Sequence, residues 1–332
     1  METLSTRGPV HQKPAGVLAA VALFVIASLP GRSQGPLDAS PSQPAQPVVA
    51  ALQHVDAHAQ VQPAANDVTY WFGANYRTPF VTDTNSGKVA NIERNSVEFT
   101  HLSFWSKGSQ FADVLMNHSN RAEPEADGNS GATEVYATLR SALGLNEITN
   151  SGAFHKGPLR DISMELGANL ETKNSAFAPA ERTLYFGPKL QVALPKGYLD
   201  VGLHLRKEWN YEGILGKAED YNVDFNIEPA WLVPFRAGRV SMTYSGFADY
   251  NTAKGRDSFG NETAPEFLVR NYAAFDLGGL LMHRPQTVDV NCGFWYWHNE
   301  YGKPASDPGA QQMTPIFGLT VHMQGLRSGQ GH

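Results

Sequence analysis

Eight aromatic and ionisable side chains, spread over alternating stretches of the sequence, could together recognise a small polar solute. Aromatic rings stack on planar heterocycles, and polar side chains hydrogen-bond to hydroxyl groups and ring edges. Stacking is expected from Tyr136, Tyr185, Trp295 and Trp297, and polar contacts are expected from Arg206, Glu208, Asp224 and Glu228. If such contacts are weak and multiple, the solute can also leave. For any one of these residues, pairing with a neighbouring side chain is the simpler alternative.

A hydrolytic alternative comes from residues 117–120, which read Asn-His-Ser-Asn. This segment superficially resembles the His-x-Ser-Asn-Gly motif of outer-membrane phospholipases, although the glycine is missing. Because His118 and Ser119 are adjacent, a strand would point them to opposite faces, and they could not act as base and nucleophile. The other histidines lack metal-ligand spacing, and neither a Walker loop nor a dinucleotide fingerprint is present. The sequence therefore predicts no enzyme, no metal and no cofactor.

The elements that position these side chains are predicted to be β-strands. In residues 199–209, apolar side chains such as Leu203 and Leu205 alternate with polar ones such as His204 and Arg206. A period of two places successive side chains on opposite faces of a sheet. Twelve such strands are predicted, near 67–77, 95–105, 109–117, 132–143, 159–173, 181–195, 198–210, 220–234, 239–250, 267–283, 287–299 and 313–323.

The connections between these strands alternate between short and long, which is typical of an outer-membrane barrel. Tight turns are expected at 107–108, 195–197, 236–238 and 284–286, and 144–158 is the exception. The fold class is thus predicted to be all-β, a transmembrane antiparallel β-barrel of about twelve strands at 67–324. Its apolar faces would contact lipid and its polar faces would line the lumen. An exported soluble β-sandwich that binds a partner remains an alternative, because sandwich strands alternate in the same way.

The termini are predicted to lie outside this barrel. Residues 1–33 read as a signal peptide, with basic Arg7 and Lys13 before an uncharged apolar stretch at 15–30. Residues 34–66 are rich in Pro, Ala, Gln and Ser and read as a disordered linker. Residues 325–332 are expected to form a disordered tail. Export and the barrel together predict the outer membrane of a Gram-negative cell.

Composition agrees with this prediction and excludes other classes. Charged residues make up 17% of the 332 residues, below the roughly 25% of soluble domains, and aromatic residues make up 11%. The net charge of −6 argues against a partner such as a nucleic acid polymer. Since Cys292 is the only cysteine, an intramolecular disulfide is excluded.

Three segments resemble the Tsx-like family of nucleoside channels in their order and spacing. Residues 98–113 are similar to that family's strand, tight Lys-Gly turn and aromatic-rich second strand. Residues 134–143 are similar to its next strand, and 294–298 (Phe-Trp-Tyr-Trp-His) to a stretch near its C-terminus. The resemblance implies a monomeric, twelve-stranded outer-membrane barrel through which nucleosides diffuse passively. The chain departs from the family in its non-aromatic C-terminal residue and its Pro/Ala-rich linker.

Overall fold

The computed structural model describes residues 65–323. The predicted signal peptide (1–33) and tail (325–332) lie outside the described residues. Of the predicted linker (34–66), only Ala65 and Asn66 are described, and they belong to the first strand. No helix in the described part of the chain is long and apolar enough to cross a membrane.

Thirteen strands form one antiparallel sheet, and twelve of them close it into a barrel. They are β1 (Ala65–Tyr76), β2 (Ile92–Trp105), β3 (Gly108–Ser119), β4 (Thr133–Gly144), β5 (Leu159–Lys173), β6 (Arg182–Ala193), β7 (Tyr198–Glu212), β8 (Lys217–Asp220), β9 (Asp224–Ala237), β10 (Val240–Asn251), β11 (Glu266–Asp276), β12 (Val288–His298) and β13 (Gln311–His322). Barrel strands pair in sequence order, with β7 next to β9, and β1 pairs with β13 to complete the ring. The alternative of a two-layer β-sandwich is therefore wrong for this part of the chain.

The twelve predicted strands are confirmed, but two have a misplaced end and one element was not predicted. The strand predicted at 220–234 begins only at Asp224. The predicted strand 267–283 is wrong beyond Asp276, where helix α2 (Leu277–Met282) begins. The Asp276 side chain accepts a hydrogen bond from the Gly279 backbone N–H at 2.7 Å, so it caps the helix. The short strand β8 was not predicted; it pairs with the last residues of β7.

The connections differ between the two ends of the barrel. At the end that carries Ala65 and His322, the links are tight turns or contain a short helix, α1 (Leu145–Thr149) or α2. Helix α1 accounts for the unexpectedly long 144–158 connection. At the other end, called the long-loop end below, the connections are 77–91, 120–132, 174–181, 213–223, 252–265 and 299–310.

The outer surface of the barrel is apolar on all sides. Each of the twelve barrel strands exposes at least one large hydrophobic side chain. Examples in strand order are Tyr70, Val97, Met116, Leu143, Leu166, Phe186, Leu205, Phe225, Tyr244, Phe275, Val290 and Phe317. A continuous apolar belt around a closed barrel is stable only against lipid, because water would hydrate it unfavourably. The barrel is therefore an outer-membrane protein, as the sequence predicts.

The apolar core inside the lumen lies beside the seam between β1 and β13. Trp71, Tyr76, Ile92, Leu115 and Ile316 form a buried cluster there. The Trp71 ring lies over the backbone of a glycine, Gly318, on the neighbouring strand. A Cβ atom at Gly318 would lie 2.6 Å from Cε3 of that ring, so only glycine leaves room for the indole.

We expect Gly318→Val to reduce the fraction of chain that folds into a closed barrel. The indole cannot retreat, because its Nε1 donates to Glu98 at 2.6 Å and Arg270 lies against its ring. Heat-modifiable migration of the refolded protein measures the folded fraction. Leu319→Val, on the lipid-facing side of the same strand, is the control and should fold normally. An unchanged folded fraction for Gly318→Val would contradict this account of the seam.

Candidate functional site in the barrel lumen

All eight residues selected from the sequence face the lumen. Tyr185, Arg206 and Glu208 are each at most 3% exposed. They alternate along their strands with lipid-facing residues such as Leu184 and Leu205. The structure thus supports the predicted orientation of these side chains, and their contact with a solute stays a prediction.

Two of the predicted stacking residues, Tyr136 and Tyr185, share a hydrogen-bond donor in the lumen. The Asn169 side-chain amide donates to the Tyr136 hydroxyl at 2.5 Å and to the Tyr185 hydroxyl at 2.9 Å. The Arg140 guanidinium lies 4.3 Å from the centre of the Tyr185 ring and pairs with Glu228 at 2.8 Å. The Tyr185 ring therefore already has a cationic partner on its face.

Three of the four predicted polar contacts bind one another. Arg206 holds Asp224 with two parallel bonds, from Nε at 3.0 Å and Nη2 at 2.8 Å. Its Nη1 also lies 3.1 Å from Glu208, which in turn accepts from the Lys254 ammonium at 2.7 Å. Lys254 was not selected from the sequence, because it lies in the long connection after β10. Pairing within the wall is thus the arrangement that the structure shows for these residues.

The other two predicted stacking residues lie on a different part of the wall, on β12. The rings of Trp295 and Trp297 are 6.4 Å apart, and Trp297 is 5.2 Å from the ring of Tyr301. Tyr301 follows β12 in the connection to β13 and was not predicted. Arg270 lies 5.8 Å from the Trp295 ring and binds Glu98 at 2.5 Å. The eight residues therefore form two groups, one on β4 to β9 and one on β12.

A buried carboxylate at the long-loop end, Glu123, was also missed by the sequence analysis. Glu123 lies in the connection between β3 and β4 and is 1% exposed. It binds Arg94 at 3.1 Å and Lys173 at 2.5 Å, and it accepts from the hydroxyls of Thr78 and Ser119. Burial would raise the pKa of the Glu123 carboxyl, but the charges of Arg94 and Lys173 outweigh it and hold this pKa well below its usual range. Glu123 thus ties a long connection to three strands.

Side chains from several strands surround a small space inside the barrel. One cavity, of about 20 Å³, lies between Trp71, Arg94, Asn117 and Arg270. It has room for about one water molecule. A solute of nucleoside size would enter this region only if lumen side chains moved aside.

The hydrolytic alternative is not supported by the geometry of its two residues. Ser119 is buried in the lumen, where its hydroxyl donates to Glu123 at 2.5 Å. His118 is exposed on the opposite face and bonds to the Thr133 hydroxyl at 3.0 Å. The two side chains point to opposite faces of β3, as predicted, so they do not form a base–nucleophile pair.

No family model matches the chain, and no curated protein is similar to it in sequence. In fold it is similar to the NanC porin, with 12% identity over 77% of this chain and 99% of that chain and a TM-score of 0.41. It is also similar to the translocator domain of the autotransporter NalP from Neisseria meningitidis (11% identity, 92% and 97% coverage, TM-score 0.38). The KdgM porin is a third example (8% identity, 77% and 98% coverage, TM-score 0.35). We draw no functional conclusion from these likenesses.

We expect Glu123→Gln to lower the free energy of unfolding by about 3 kcal/mol, because buried Arg94 loses its ion-pair partner and buried Lys173 keeps only Glu134. The control is Glu262→Gln, which breaks an exposed pair with Arg256 and should cost less than about 1 kcal/mol. Denaturant unfolding in detergent micelles measures both values. Equal losses for the two variants would contradict a structural role for Glu123.

The same carboxylate should make the stability of the barrel depend on pH. Because the pKa of Glu123 is lower in the folded than in the unfolded protein, its contribution is complete above the unfolded value of about 4.3. That contribution is lost as the pH falls through the folded value. We therefore expect the difference in stability between wild type and Glu123→Gln to shrink on acidification below about pH 4. A difference that is constant down to strongly acidic pH would contradict this assignment.

Proposed function

We propose that this protein is a channel for the passive diffusion of small polar solutes across the outer membrane. The observation that carries the proposal is the division of side chains around the closed ring of twelve strands. Apolar side chains cover the outside, whereas charged, amide and aromatic side chains cover the inside. A lumen wall with positive and negative side chains can take over the hydrogen bonds that water makes to a polar solute, while each contact stays weak enough for the solute to leave.

Ion pairs between lumen side chains determine how wide the proposed channel is. Arg140, Arg206 and Lys254 form ion pairs that reach from one strand or loop to another. A solute must displace some of these side chains, and each displacement leaves a charge unpaired for a time. We therefore propose a narrow channel with small conductance rather than a wide diffusion pore.

We further propose nucleosides as the solutes and the monomer as the functional unit. The support is the resemblance of residues 98–113, 134–143 and 294–298 to the Tsx-like channels. The lumen position of Tyr136 and of the two tryptophans on β12 is consistent with this, since aromatic faces can stack on a base. Carboxylates such as Glu228 and Asp224 could accept hydrogen bonds from ribose hydroxyls.

Planar-bilayer recording on the purified chain tests both the channel function and the nucleoside specificity. We expect small, stepwise conductance that thymidine or adenosine reduces. Trp297→Ala should weaken this block several-fold, because it removes a stacking surface that makes no hydrogen bond essential to the fold. Phe317→Ala removes a ring on the lipid-facing side, where the residue is 54% exposed, and should leave the block unchanged.

Three other outcomes would change the conclusion. Steady conductance that nucleosides do not affect would keep the channel and contradict the nucleoside assignment. Absence of conductance from a correctly folded barrel would contradict the channel itself. Ester hydrolysis that Ser119→Ala abolishes would instead support the enzymatic alternative.

A further inference from the structure

Buried acidic residues outnumber buried basic ones in the described part of the chain. Among the described residues, twelve Asp and Glu residues are buried, against six Lys and Arg residues. Each of the six cations already forms an ion pair with at least one carboxylate. The excess carboxylates therefore depend on hydrogen bonds, protonation or a mobile cation for compensation.

One of these carboxylates, Glu171, lies beside a partly buried one, Glu181, at the long-loop end of the lumen. Glu171 on β5 donates its backbone N–H to the carbonyl of Glu181, just before β6, at 3.0 Å. The Glu171 side chain is 7% exposed, and its Oε1 has no hydrogen-bond partner among the described residues. Glu181 accepts a bond from the Thr183 hydroxyl at 2.6 Å. Neither carboxylate forms an ion pair within residues 65–323.

The surroundings of this pair add to its need for a positive charge. Burial raises the pKa of the Glu181 carboxyl to about 7. The nearby Glu208 carboxylate adds to the rise, and the charges of Lys254 and Arg206 offset part of it. An unpaired carboxylate in such a place is stabilised by any cation that can reach it. Because the pair lies beside the long connections, it is close to the end of the lumen that they surround.

Aromatic rings lie beside the same carboxylates. Tyr136 is the cross-strand neighbour of Glu171. Tyr301 is close as well: burial raises the pKa of its phenol well above the usual value, and the charges of Glu171 and Glu134 add to this rise. Tyr301 in turn contacts Trp297. Carboxylates next to aromatic faces are a favourable environment for a cation, through charge and through the ring quadrupole.

We propose that Glu171 and Glu181 form a binding site for a small monovalent cation and make the pore selective for cations over anions. The inference rests on the proposed channel function. Within residues 65–323, no group of three or more His, Cys, Asp or Glu residues has the geometry of a metal-ion site. Divalent cations such as Ca²⁺ and Mg²⁺ take about six or more oxygen ligands, which is more than two carboxylates supply, so the proposed occupant is a loosely held monovalent cation. A neutral nucleoside does not respond to this charge, so the selectivity concerns ions alone.

Reversal potentials across a bilayer under a potassium chloride gradient test the proposal. We expect the wild-type pore to prefer potassium over chloride several-fold, and the double variant Glu171→Gln/Glu181→Gln to lose most of this preference. Glutamine keeps the size and hydrogen bonds of glutamate, and heat-modifiable migration checks that the variant is folded. The control is Glu262→Gln, which removes one carboxylate from the exposed surface and should leave the preference unchanged.

The outcomes separate this site from the channel function. A wild-type pore that prefers chloride or neither ion would overturn the selectivity, and a preference that survives in the double variant would overturn the site. If the folded barrel does not conduct, quenching of tryptophan fluorescence by caesium and by iodide replaces the recording. Stronger quenching by caesium that the double variant loses would support the cation site without a channel. Equal changes for both ions would overturn it.

Discussion

The pairing of the first barrel strand with the last is the interaction on which the rest of the structure depends. In a bilayer, the backbone N–H and C=O groups of an open sheet edge would have no water to bind. The ladder between β1 and β13 removes that edge. Side chains reinforce it: His322 lies between Asp67 at 2.8 Å and Asp289 at 3.1 Å, and the hydroxyls of Thr69 and Thr320 are 2.8 Å apart. Closure of the sheet therefore comes with a polar seam on the lumen side.

Once the sheet is closed, its polar face surrounds the interior of the barrel. Side chains that would be hydrated on an open sheet are enclosed, so each charge needs a partner at hydrogen-bond distance. Glu123 and Glu208 each form ion pairs with two cations, and Arg206 forms ion pairs with two carboxylates. These ion pairs hold the wall together. In the proposed channel, the same side chains would contribute both to the stability of the barrel and to the choice of solute.

Much of the fold could be predicted from the sequence because the side chains of a barrel strand point alternately to the lipid and to the lumen. Apolar and polar residues therefore alternate along each strand. The strands predicted at 159–173 and 198–210 follow that alternation closely, and the structure has strands at 159–173 and 198–212. Prediction failed where this constraint ends. Residues 277–282 lie beyond the barrel wall, where the Asp276 cap favours a helical turn over continued strand. Strand β8 pairs with the end of β7 outside the closed ring, so the alternation between lipid and lumen does not apply to it either.

The sequence by itself determined the class of fold, the number of barrel strands and the face on which each candidate side chain lies. All of these follow from local periodicity, which needs no knowledge of distant contacts. Only the tertiary structure decided which lumen residues meet. Arg140 reaches Glu228 and Arg270 reaches Glu98 because closure brings strands far apart in the chain to opposite sides of one narrow space. Lys254, Glu123 and Tyr301 lie in the long connections. No alternating pattern there indicates which way a side chain points, so the sequence did not predict their place in the lumen.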